Sequence, residues 1–296
     1  MISMKISIAA ALDPGKERER NEDALAVCND LLNSSWSESL VCDGMEVPDY
    51  GTLAVVADGM GGENAGDLAS QTAISAVKGV FTNDAVNQAL SVEGGIESLM
   101  RHAVNEADRL VLSEAEKAPE NIGLGTTIVI CWMIWPMVYV AWCGDSRCYV
   151  FSHSKGLIQL TKDHSFVQEL IDKGELTEED ALTHPEASVI TRALGDQDCP
   201  SEADFTCHKC SDGDSLLLCS DGLCGYVCDS EIERLMRKNE HKVKATVDSL
   251  LGVSLDAGGF DNISIIMMTV KDDGGERSQK KSLLGKLSAF FRKLFR

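Results

Sequence analysis

Strand-like runs of β-branched and apolar residues come in groups along this 296-residue chain, and the grouping limits the folds open to it. The runs occupy residues 5–10, 24–28, 52–57, 126–134, 137–143, 148–152, 215–219 and 263–270. Helical periodicity falls between the groups, at residues 63–81, 96–115, 166–173, 230–238 and 242–257. Because helices do not alternate strictly with strands, a doubly wound parallel sheet is disfavoured. The order predicts sheets packed on each other and covered by helices.

The chain is predicted to form one domain, residues 1–272, followed by a tail, residues 273–296. No internal repeat or low-complexity linker interrupts residues 1–270, and 44% hydrophobic with 25% charged residues is typical of a soluble globular domain. The formal net charge of −20 argues against general nucleic-acid binding, which needs a basic surface. Residues 29–51 and 161–195 are polar and irregular, and we expect residues 29–51 to form a surface excursion.

The tail differs in kind from the acidic body. From Glu276 onward it carries seven Lys or Arg residues and a single acid. Its apolar residues recur on one face of a helix, at positions 283, 284, 287, 290, 291, 294 and 295. A basic amphipathic helix of this type indicates contact with an anionic membrane or a partner protein, and docking on the chain's own acidic body is the alternative.

Cysteine usage and the N-terminal residues favour a cytoplasmic protein. The chain contains 11 cysteines without disulfide-like spacing, and residues 1–11 lack the pattern of a signal peptide. Reduced thiols are the simplest account. Cys207-His208-Lys209-Cys210 could form half of a zinc site, but without a matching second half a structural role is favoured.

Acidic residues stand beside glycine or small polar residues at the ends of the strand-like runs. They are Glu22, Asp23, Asp58, Asp145, Asp221 and Asp261. Strand ends that meet at one edge of a sheet can gather carboxylates around Mg²⁺ or Mn²⁺, which prefer oxygen ligands. Glycine after Asp58 and after Asp221 permits a sharp turn and brings the backbone carbonyl of Gly59 within reach of a metal. Arg18, close to this group, indicates a phosphorylated substrate.

The order and spacing of these motifs resemble the protein phosphatase 2C (PP2C, PPM) family, and most closely its bacterial single-domain members. The motifs are Arg18-x-x-Asn21-Glu22-Asp23, Ala57-Asp58-Gly59-Met60-Gly61-Gly62, Gly125-Thr126-Thr127, Gly144-Asp145-Ser146-Arg147, Ser220-Asp221-Gly222-Leu223 and Gly259-Phe260-Asp261-Asn262. The resemblance covers about residues 5 to 270. Residues 161–165 and 184–195 also look like the family's flap, so residues 161–195 are called the flap segment below.

The resemblance implies an α+β fold, a four-layer αββα sandwich with two central antiparallel sheets flanked by helix pairs. It implies that Asp58 bridges two Mn²⁺ or Mg²⁺ ions, that Gly59 offers its carbonyl, and that Asp221 and Asp261 complete the shell of one ion.

Further roles follow from the same resemblance. Glu22 and Asp23 would lie beside the ions and reach at least one of them through water, with Asn262 supporting the ligands from behind. Asp145 would help bind a third, weaker ion, for which Ser188 in the flap segment is a second contact. Arg18 would hold the substrate phosphate.

The activity implied by the resemblance is hydrolysis of phosphoserine and phosphothreonine by attack of a metal-bridging hydroxide, in a monomer that opposes a Ser/Thr protein kinase. Two alternatives stay open: a non-catalytic binding module, and a phosphatase acting on an anti-sigma-factor antagonist. Met60 stands where some eukaryotic members carry a histidine, so water or another group must protonate the leaving group. His164 is interpreted as an exposed loop histidine rather than a substrate contact.

Overall fold

The protein is described here by a computed structural model that covers residues 4–61, 65–118, 123–196, 201–239 and 242–272. The strands are β1 (Met4–Asp13), β2 (Ala24–Asp30), β3 (Ser35–Ser37), β4 (Val41–Glu46), β5 (Thr52–Ala57), β6 (Gly59–Met60), β7 (Gly125–Thr126), β8 (Ile128–Ile134), β9 (Met137–Cys143), β10 (Arg147–Ser152), β11 (Gly156–Gln159), β12 (Asp204–Lys209), β13 (Ser215–Cys219) and β14 (Ile263–Asp272). The helices are α1 (Ala65–Val80), α2 (Asn83–Ser91), α3 (Gly95–Ala115), α4 (Phe166–Asp172), α5 (Glu178–Ala181), α6 (Asp221–Cys224), α7 (Asp229–Asn239) and α8 (Val243–Asp256).

The long strands of the described ranges form two six-stranded sheets. The first sheet has the order β11-β10-β13-β14-β1-β4, and the second has the order β12-β9-β8-β5-β2-β3. All of the strand pairs within them are antiparallel. The sheets face each other across a core in which Ile8 of the first packs with Val56 of the second. The predicted pair of packed antiparallel sheets is confirmed.

Helices cover the outer face of each sheet. α1 and α3 pack on the second sheet, and α8, with α7 beside it, packs on the first. The alternation of β5 shows how the layers arise, because Leu53 and Val55 face the helices while Ala54 and Val56 face the other sheet. Both faces are buried, so the strand is apolar from Leu53 to Ala57, and the hydroxyl of Thr52 at its start donates to Oδ1 of Asn29. This is the four-layer αββα arrangement that the resemblance implied.

Residues 29–51 were expected to be an irregular excursion, and this expectation is wrong. β3 pairs with β2 at the edge of the second sheet, and β4 pairs with β1 at the edge of the first. The segment therefore passes from one sheet to the other and extends each of them. Its polar composition has a physical cause, since the two short edge strands leave most of their residues partly or fully exposed to water.

Other departures from prediction are local. α2 was not predicted; it is a short helix whose N-terminus is capped by Thr82, which accepts a hydrogen bond from the backbone N–H of Ala85. The strand predicted over residues 126–134 is divided into β7 and β8, and Thr127 between them binds Asp58, as described below.

The described helices include none with the length and apolar character needed to cross a membrane. The predicted tail, residues 273–296, lies outside the described residues.

Candidate metal and phosphate site

Five aspartates from both sheets meet at one edge of the sandwich. Asp58 follows β5 and Asp23 precedes β2, which pairs with β5 in antiparallel fashion. Asp221 lies just beyond β13 and Asp261 just before β14, its antiparallel partner. Asp145 follows β9. In antiparallel pairs the end of one strand lies beside the start of the other, so the topology gathers these side chains. The group Asp23, Asp58, Asp145, Asp221 and Asp261 is called the carboxylate site.

Burial and mutual repulsion make it costly for these carboxylates to be charged together. Burial, with the charges of Asp221 and Asp261 adding to it, raises the pKa of Asp23 to about 7, although two hydrogen bonds act in the opposite direction. Burial and the charge of Asp261 raise the pKa of Asp221 to about 6. Burial first, and neighbouring carboxylates second, raise the pKa values of Asp58 and Asp145 well above the ordinary value. Cations at this edge would relieve the repulsion.

The backbone of Asp58 is fixed by the strand ends around it. Its carbonyl oxygen accepts hydrogen bonds from the N–H of Thr127 and the hydroxyl of Thr126, both at 2.8 Å. Its own N–H donates to the hydroxyl oxygen of Thr127 at 3.1 Å. That hydroxyl is also 2.7 Å from the hydroxyl of Ser146, next to Asp145. Thr127 therefore links the backbone of Asp58 to Ser146, the residue that follows Asp145.

Asp23 is the most deeply buried of the five, with 5% of its surface exposed. Its Oδ2 accepts hydrogen bonds from the hydroxyls of Ser220 and Ser264, each at 2.7 Å. The backbone N–H of Ser264 in turn donates to the hydroxyl oxygen of Ser220 at 3.0 Å. This network leaves Oδ1 of Asp23 as the oxygen available to a ligand.

Asn262 holds the loop that joins β1 to β2. Its side-chain amide donates to the carbonyl oxygens of Pro14 and Arg20, both at 2.9 Å. Its Oδ1 accepts a hydrogen bond of 2.7 Å from the N–H of Glu22. Because Arg18 and Glu22 both belong to this loop, a single buried side chain sets their position. The structure thus gives Asn262 a supporting place behind the carboxylates.

Arg18 reaches the carboxylate site from the solvent side. Its Nη2 donates to Oδ2 of Asp261 at 2.8 Å, and half of its side chain is exposed. The guanidinium has further N–H donors in a planar fork, which suits a phosphate. Glu22 lies on the same side, where its carboxyl approaches Gly66 at the start of α1. Burial raises the pKa of Glu22, the charge of Arg18 lowers it, and the charge of Asp67 raises it further.

Gly59 and Gly222, which follow two of the aspartates, are required by close packing. A Cβ on Gly59 would stand 2.1 Å from the carbonyl oxygen of Gly66 and 2.4 Å from that of Glu22. A Cβ on Gly222 would stand 1.9 Å from the carbonyl oxygen of Asn262. All three distances are shorter than any van der Waals contact, so only glycine allows these backbones to meet. The glycines that follow Asp58 and Asp221 therefore allow the close backbone contacts on which the site depends.

The donor set fits hard divalent cations. Oδ1 of Asp221 is buried and has no hydrogen-bond partner within the described residues, and the charge of Asp221 is one cause of the raised pKa of the neighbouring Asp58. A buried oxygen without a partner is costly, and a cation would satisfy it. In the described ranges no three His, Cys, Asp or Glu side chains are grouped closely enough to hold an ion unaided. Mg²⁺ is commonly bound by one or two carboxylates with several water molecules, and pairs such as Asp58 with Asp221 match that pattern.

Ser188 has no contact with the carboxylate site among the hydrogen bonds of the described residues. It is exposed in the flap segment, and the structure records no hydrogen bond between it and Asp145 among the described residues. The flap segment is nevertheless tied to the site at both ends. Leu194 exchanges two backbone hydrogen bonds with Thr126, at 2.8 and 3.1 Å. Near the other end, Asp163 accepts hydrogen bonds from two nitrogens of Arg147, at 2.7 to 3.0 Å.

His164 is buried, so its interpretation as an exposed loop histidine is wrong. Only 7% of its surface is exposed, and its ring stacks on Trp142 with 6.2 Å between centroids. Its Nδ1 accepts a hydrogen bond of 3.1 Å from the N–H of Gly144, and its Nε2 lies 3.4 Å from Oδ2 of Asp204. Burial lowers the pKa of His164, and because Nδ1 accepts a hydrogen bond, the ring proton is placed on Nε2. The residue anchors the flap segment to the turn that carries Asp145.

Several residues of the site were not predicted to act there. Ser146 and Ser220 belong to the quoted motifs, but their hydroxyl groups were given no role, and Ser264 was not singled out at all. A small hydroxyl residue beside a carboxylate at a strand end was the available signal. Asp67, in the first turn of α1, also adds its charge near Glu22.

The segment Cys207 to Cys210 is a structural element. Cys207 is exposed on β12, whereas Cys210 is buried in the core between the sheets. The two thiols therefore lie on different faces, as alternation along a strand requires. This agrees with the structural interpretation rather than a zinc site.

Comparison with known proteins places the chain in a family. The sequence profile of the family described as Protein phosphatase 2C matches residues 21–258. The serine/threonine phosphatase stp of Listeria monocytogenes is 33% identical over 256 residues, which is 86% of this chain and 92% of that protein. Protein phosphatase PhpP of Streptococcus pneumoniae is 28% identical over 271 residues, 92% of this chain and 100% of that protein.

Solved structures agree with the sequence relatives. Serine/threonine phosphatase Stp1 of Staphylococcus aureus has a TM-score of 0.74 at 31% identity, covering 88% of this chain and 94% of that one. The catalytic domain of the phosphatase PstP, in complex with two manganese ions, has a TM-score of 0.71 at 29% identity, covering 91% of this chain and 100% of that one. The chain belongs to the protein phosphatase 2C family.

Proposed function

We propose that this chain is a metal-dependent phosphatase that hydrolyses the phosphate monoesters of phosphoserine and phosphothreonine in proteins. The single observation that carries the proposal is the unpartnered buried Oδ1 of Asp221, which lies in a carboxylate group with Asp58 at the meeting point of both sheets. Family membership and the names of the relatives, serine/threonine phosphatases, support the same activity.

The metal ligands proposed are Asp58, Asp221 and Asp261, with the carbonyl of Gly59, and with Asp23 and Glu22 beside the ions. Two divalent cations bound there, Mn²⁺ or Mg²⁺, would offset the charge of the phosphate dianion and lower the pKa of a water molecule. The relative solved with two manganese ions supports this number. A third, weaker ion at Asp145 is part of the proposal, but the exposed position of Ser188 gives that contact no support.

Arg18 is proposed to bind the substrate phosphate. Its Nη2 contacts Asp261 at 2.8 Å, so its position is already set at the edge of the carboxylate site. A planar guanidinium can give two parallel hydrogen bonds to phosphate oxygens, and these strengthen as negative charge accumulates on them. Met60 has no proton to donate, so water or another group is left to protonate the departing serine or threonine oxygen.

The wider setting is also proposed. We assign residues 1–272 to one catalytic unit that acts in the cytoplasm as a monomer, against the products of a Ser/Thr protein kinase. The basic tail, residues 273–296, is assigned to contact with an anionic membrane or a partner protein. A phosphatase acting on an anti-sigma-factor antagonist would use the same chemistry on a different substrate.

A phosphopeptide assay tests the activity. Phosphate release from a phosphothreonine peptide should require Mn²⁺ and stop with EDTA, and it should be lost in Asp58→Asn. A non-catalytic binding module would release no phosphate under any of these conditions. Hydrolysis that persists undiminished in EDTA would contradict metal dependence.

A further inference from the structure

Two aromatic rings are exposed together beside the carboxylate site. Tyr226 and Phe260 are 44% and 51% exposed, and their ring centroids lie 5.6 Å apart. They come from different segments, since Tyr226 follows α6 and Phe260 precedes β14. Single exposed apolar side chains are common on protein surfaces, but a pair of large rings in contact forms a patch, and such patches mark interaction sites.

The position of each ring is fixed by the backbone. A Cβ on Gly258 would stand 2.1 Å from the ring of Phe260, so the ring lies directly against that glycine. The N–H of Tyr226 donates to the carbonyl oxygen of Leu223 at 3.2 Å, and the next residue, Val227, is buried. Binding a partner to the aromatic pair would therefore cost little further conformational entropy of the two side chains, and this favours binding.

The pair adjoins the place proposed for the phosphate. Phe260 immediately precedes Asp261, whose Oδ2 contacts Arg18. Burial raises the pKa of the Tyr226 hydroxyl, and the charges of Asp221 and Asp261 raise it further, so this ring also lies beside the carboxylates. A phosphorylated residue held by Arg18 would bring the neighbouring residues of its own chain across this surface.

Charges of both signs border the pair, so the apolar surface of the rings, rather than the surrounding charge, favours an apolar occupant. Arg18 and Lys16 stand on the same rim, and the N–H of Lys16 donates to the carbonyl oxygen of Gly259 at 2.7 Å. The carboxylates of Asp221 and Asp261 also act on Tyr226 and offset these cations, so no single charge dominates the surface. An apolar side chain would cover the exposed rings and remove their apolar surface from water.

We propose that Tyr226 and Phe260 form a docking surface for a large apolar side chain directly beside the phosphorylated residue of the substrate protein. This proposal rests on the phosphatase activity proposed above and adds a specificity to it.

Matched phosphothreonine peptides test the proposal in the full chain with Mn²⁺. They differ only in carrying Leu or Gly, either directly before or directly after the phosphothreonine. The wild-type protein should prefer Leu at one of these positions by about 10-fold in kcat/KM, the size expected from burying one side chain. Phe260→Ala and Tyr226→Ala should reduce the preference to about 2-fold or less. Tyr226→Phe should retain it.

The preference is a ratio within each variant, so a general loss of activity leaves it unaltered. Val92→Ala removes an exposed apolar side chain from the connection between α2 and α3 and should keep the wild-type ratio. Equal hydrolysis of all the peptides by the wild-type protein would overturn the proposal, and so would an undiminished preference in Phe260→Ala. A dimer that Phe260→Ala dissociates in gel filtration would make the pair a contact between copies and would also overturn it. Failure of the wild-type protein to hydrolyse any peptide or p-nitrophenyl phosphate would instead refute the proposed function.

Discussion

The carboxylate site and the flap segment are connected through Gly144 and Thr126 but are built in opposite ways. Asp23 and Asp58 stand at the ends of buried strands, and each is held by at least two hydrogen bonds. The middle of the flap segment is largely exposed and has only the short helices α4 and α5. It is tied down at its ends, by His164 on one side and Leu194 on the other.

This difference implies a division of roles. A preorganised set of charges needs a rigid frame, and the ends of two packed sheets supply one. A segment anchored only at its ends can adapt to substrates of different shape. Substitutions in the carboxylate site should therefore affect every substrate, whereas substitutions in the flap anchors should affect protein substrates most.

The largest effect is expected from the carboxylates. Asp58→Asn and Asp221→Asn should each lower kcat/KM for p-nitrophenyl phosphate with Mn²⁺ by about 1,000-fold, because several kcal/mol of charge stabilisation are lost. Asp84→Asn, at an exposed position of α2, is the matched control and should keep full activity. Full activity in either site variant, with a folded protein by circular dichroism, would refute the ligand assignment.

The next largest effect is expected from Asn262, whose substitution should lower the stability of the protein. Asn262→Ala removes three hydrogen bonds of the loop between β1 and β2, at about 1 kcal/mol each, and should lower the free energy of unfolding by about 3 kcal/mol. Urea denaturation measures this change. Asn33→Ala, at an exposed position where the side-chain amide donates to Asp30, should cost less than about 1 kcal/mol by the same principle. Equal effects of the two substitutions on the free energy of unfolding would contradict the claim that Asn262 stabilises the loop between β1 and β2.

A smaller effect is expected at Arg18. Arg18→Ala should raise KM roughly 30-fold with little change in kcat, because a charged hydrogen-bonding contact contributes about 2 kcal/mol to phosphate binding. Arg18→Lys keeps the charge but loses the two-pronged geometry, and its KM should lie between the KM of the wild-type protein and that of Arg18→Ala. Steady-state kinetics with p-nitrophenyl phosphate provide the values. An unchanged KM in Arg18→Ala would exclude a role in phosphate binding.

The smallest effect is expected at the flap anchor. His164→Leu leaves the N–H of Gly144 without its acceptor and loosens one end of the flap segment. KM should rise about 3-fold for a phosphopeptide, equivalent to somewhat under 1 kcal/mol, and less for p-nitrophenyl phosphate. His102→Leu, on the exposed surface of α3, serves as the control. A larger loss with the small substrate than with the peptide would contradict the division between the two regions.

The layered fold and the strand-end acids were predictable from the sequence because both are local patterns. β5 reads as a continuous apolar run, and Asp58 with Gly59 follows it directly. The contacts between distant segments were not predictable. Ser264 lies 241 positions from Asp23, and no pattern near either residue indicates that they meet.

Two errors have the same physical origin. The segment 29–51 looked irregular because edge strands expose polar residues and lack a strong apolar alternation. His164 looked exposed because its neighbours are polar, yet Trp142 and Gly144 from another strand and turn bury it. In both cases tertiary pairing, which sequence periodicity does not report, decided the outcome.

Thermal unfolding with and without Mn²⁺, at pH 5 and pH 8, is the most direct test that the carboxylates bind divalent cations. The pKa values of Asp23 and Asp221 are raised to about 7 and about 6 from 3.8, so the folded protein takes up protons that the unfolded chain does not. Without metal, the contribution of these two groups to stability is therefore greatest below about pH 4 and decreases as pH rises toward 7.

The wild-type Tm should fall between pH 5 and pH 8 without metal, and Mn²⁺ should raise it most at pH 8. In Asp221→Asn the fall should be smaller and Mn²⁺ should add little. An identical response of Tm to Mn²⁺ in the wild-type protein and in Asp221→Asn would contradict the account.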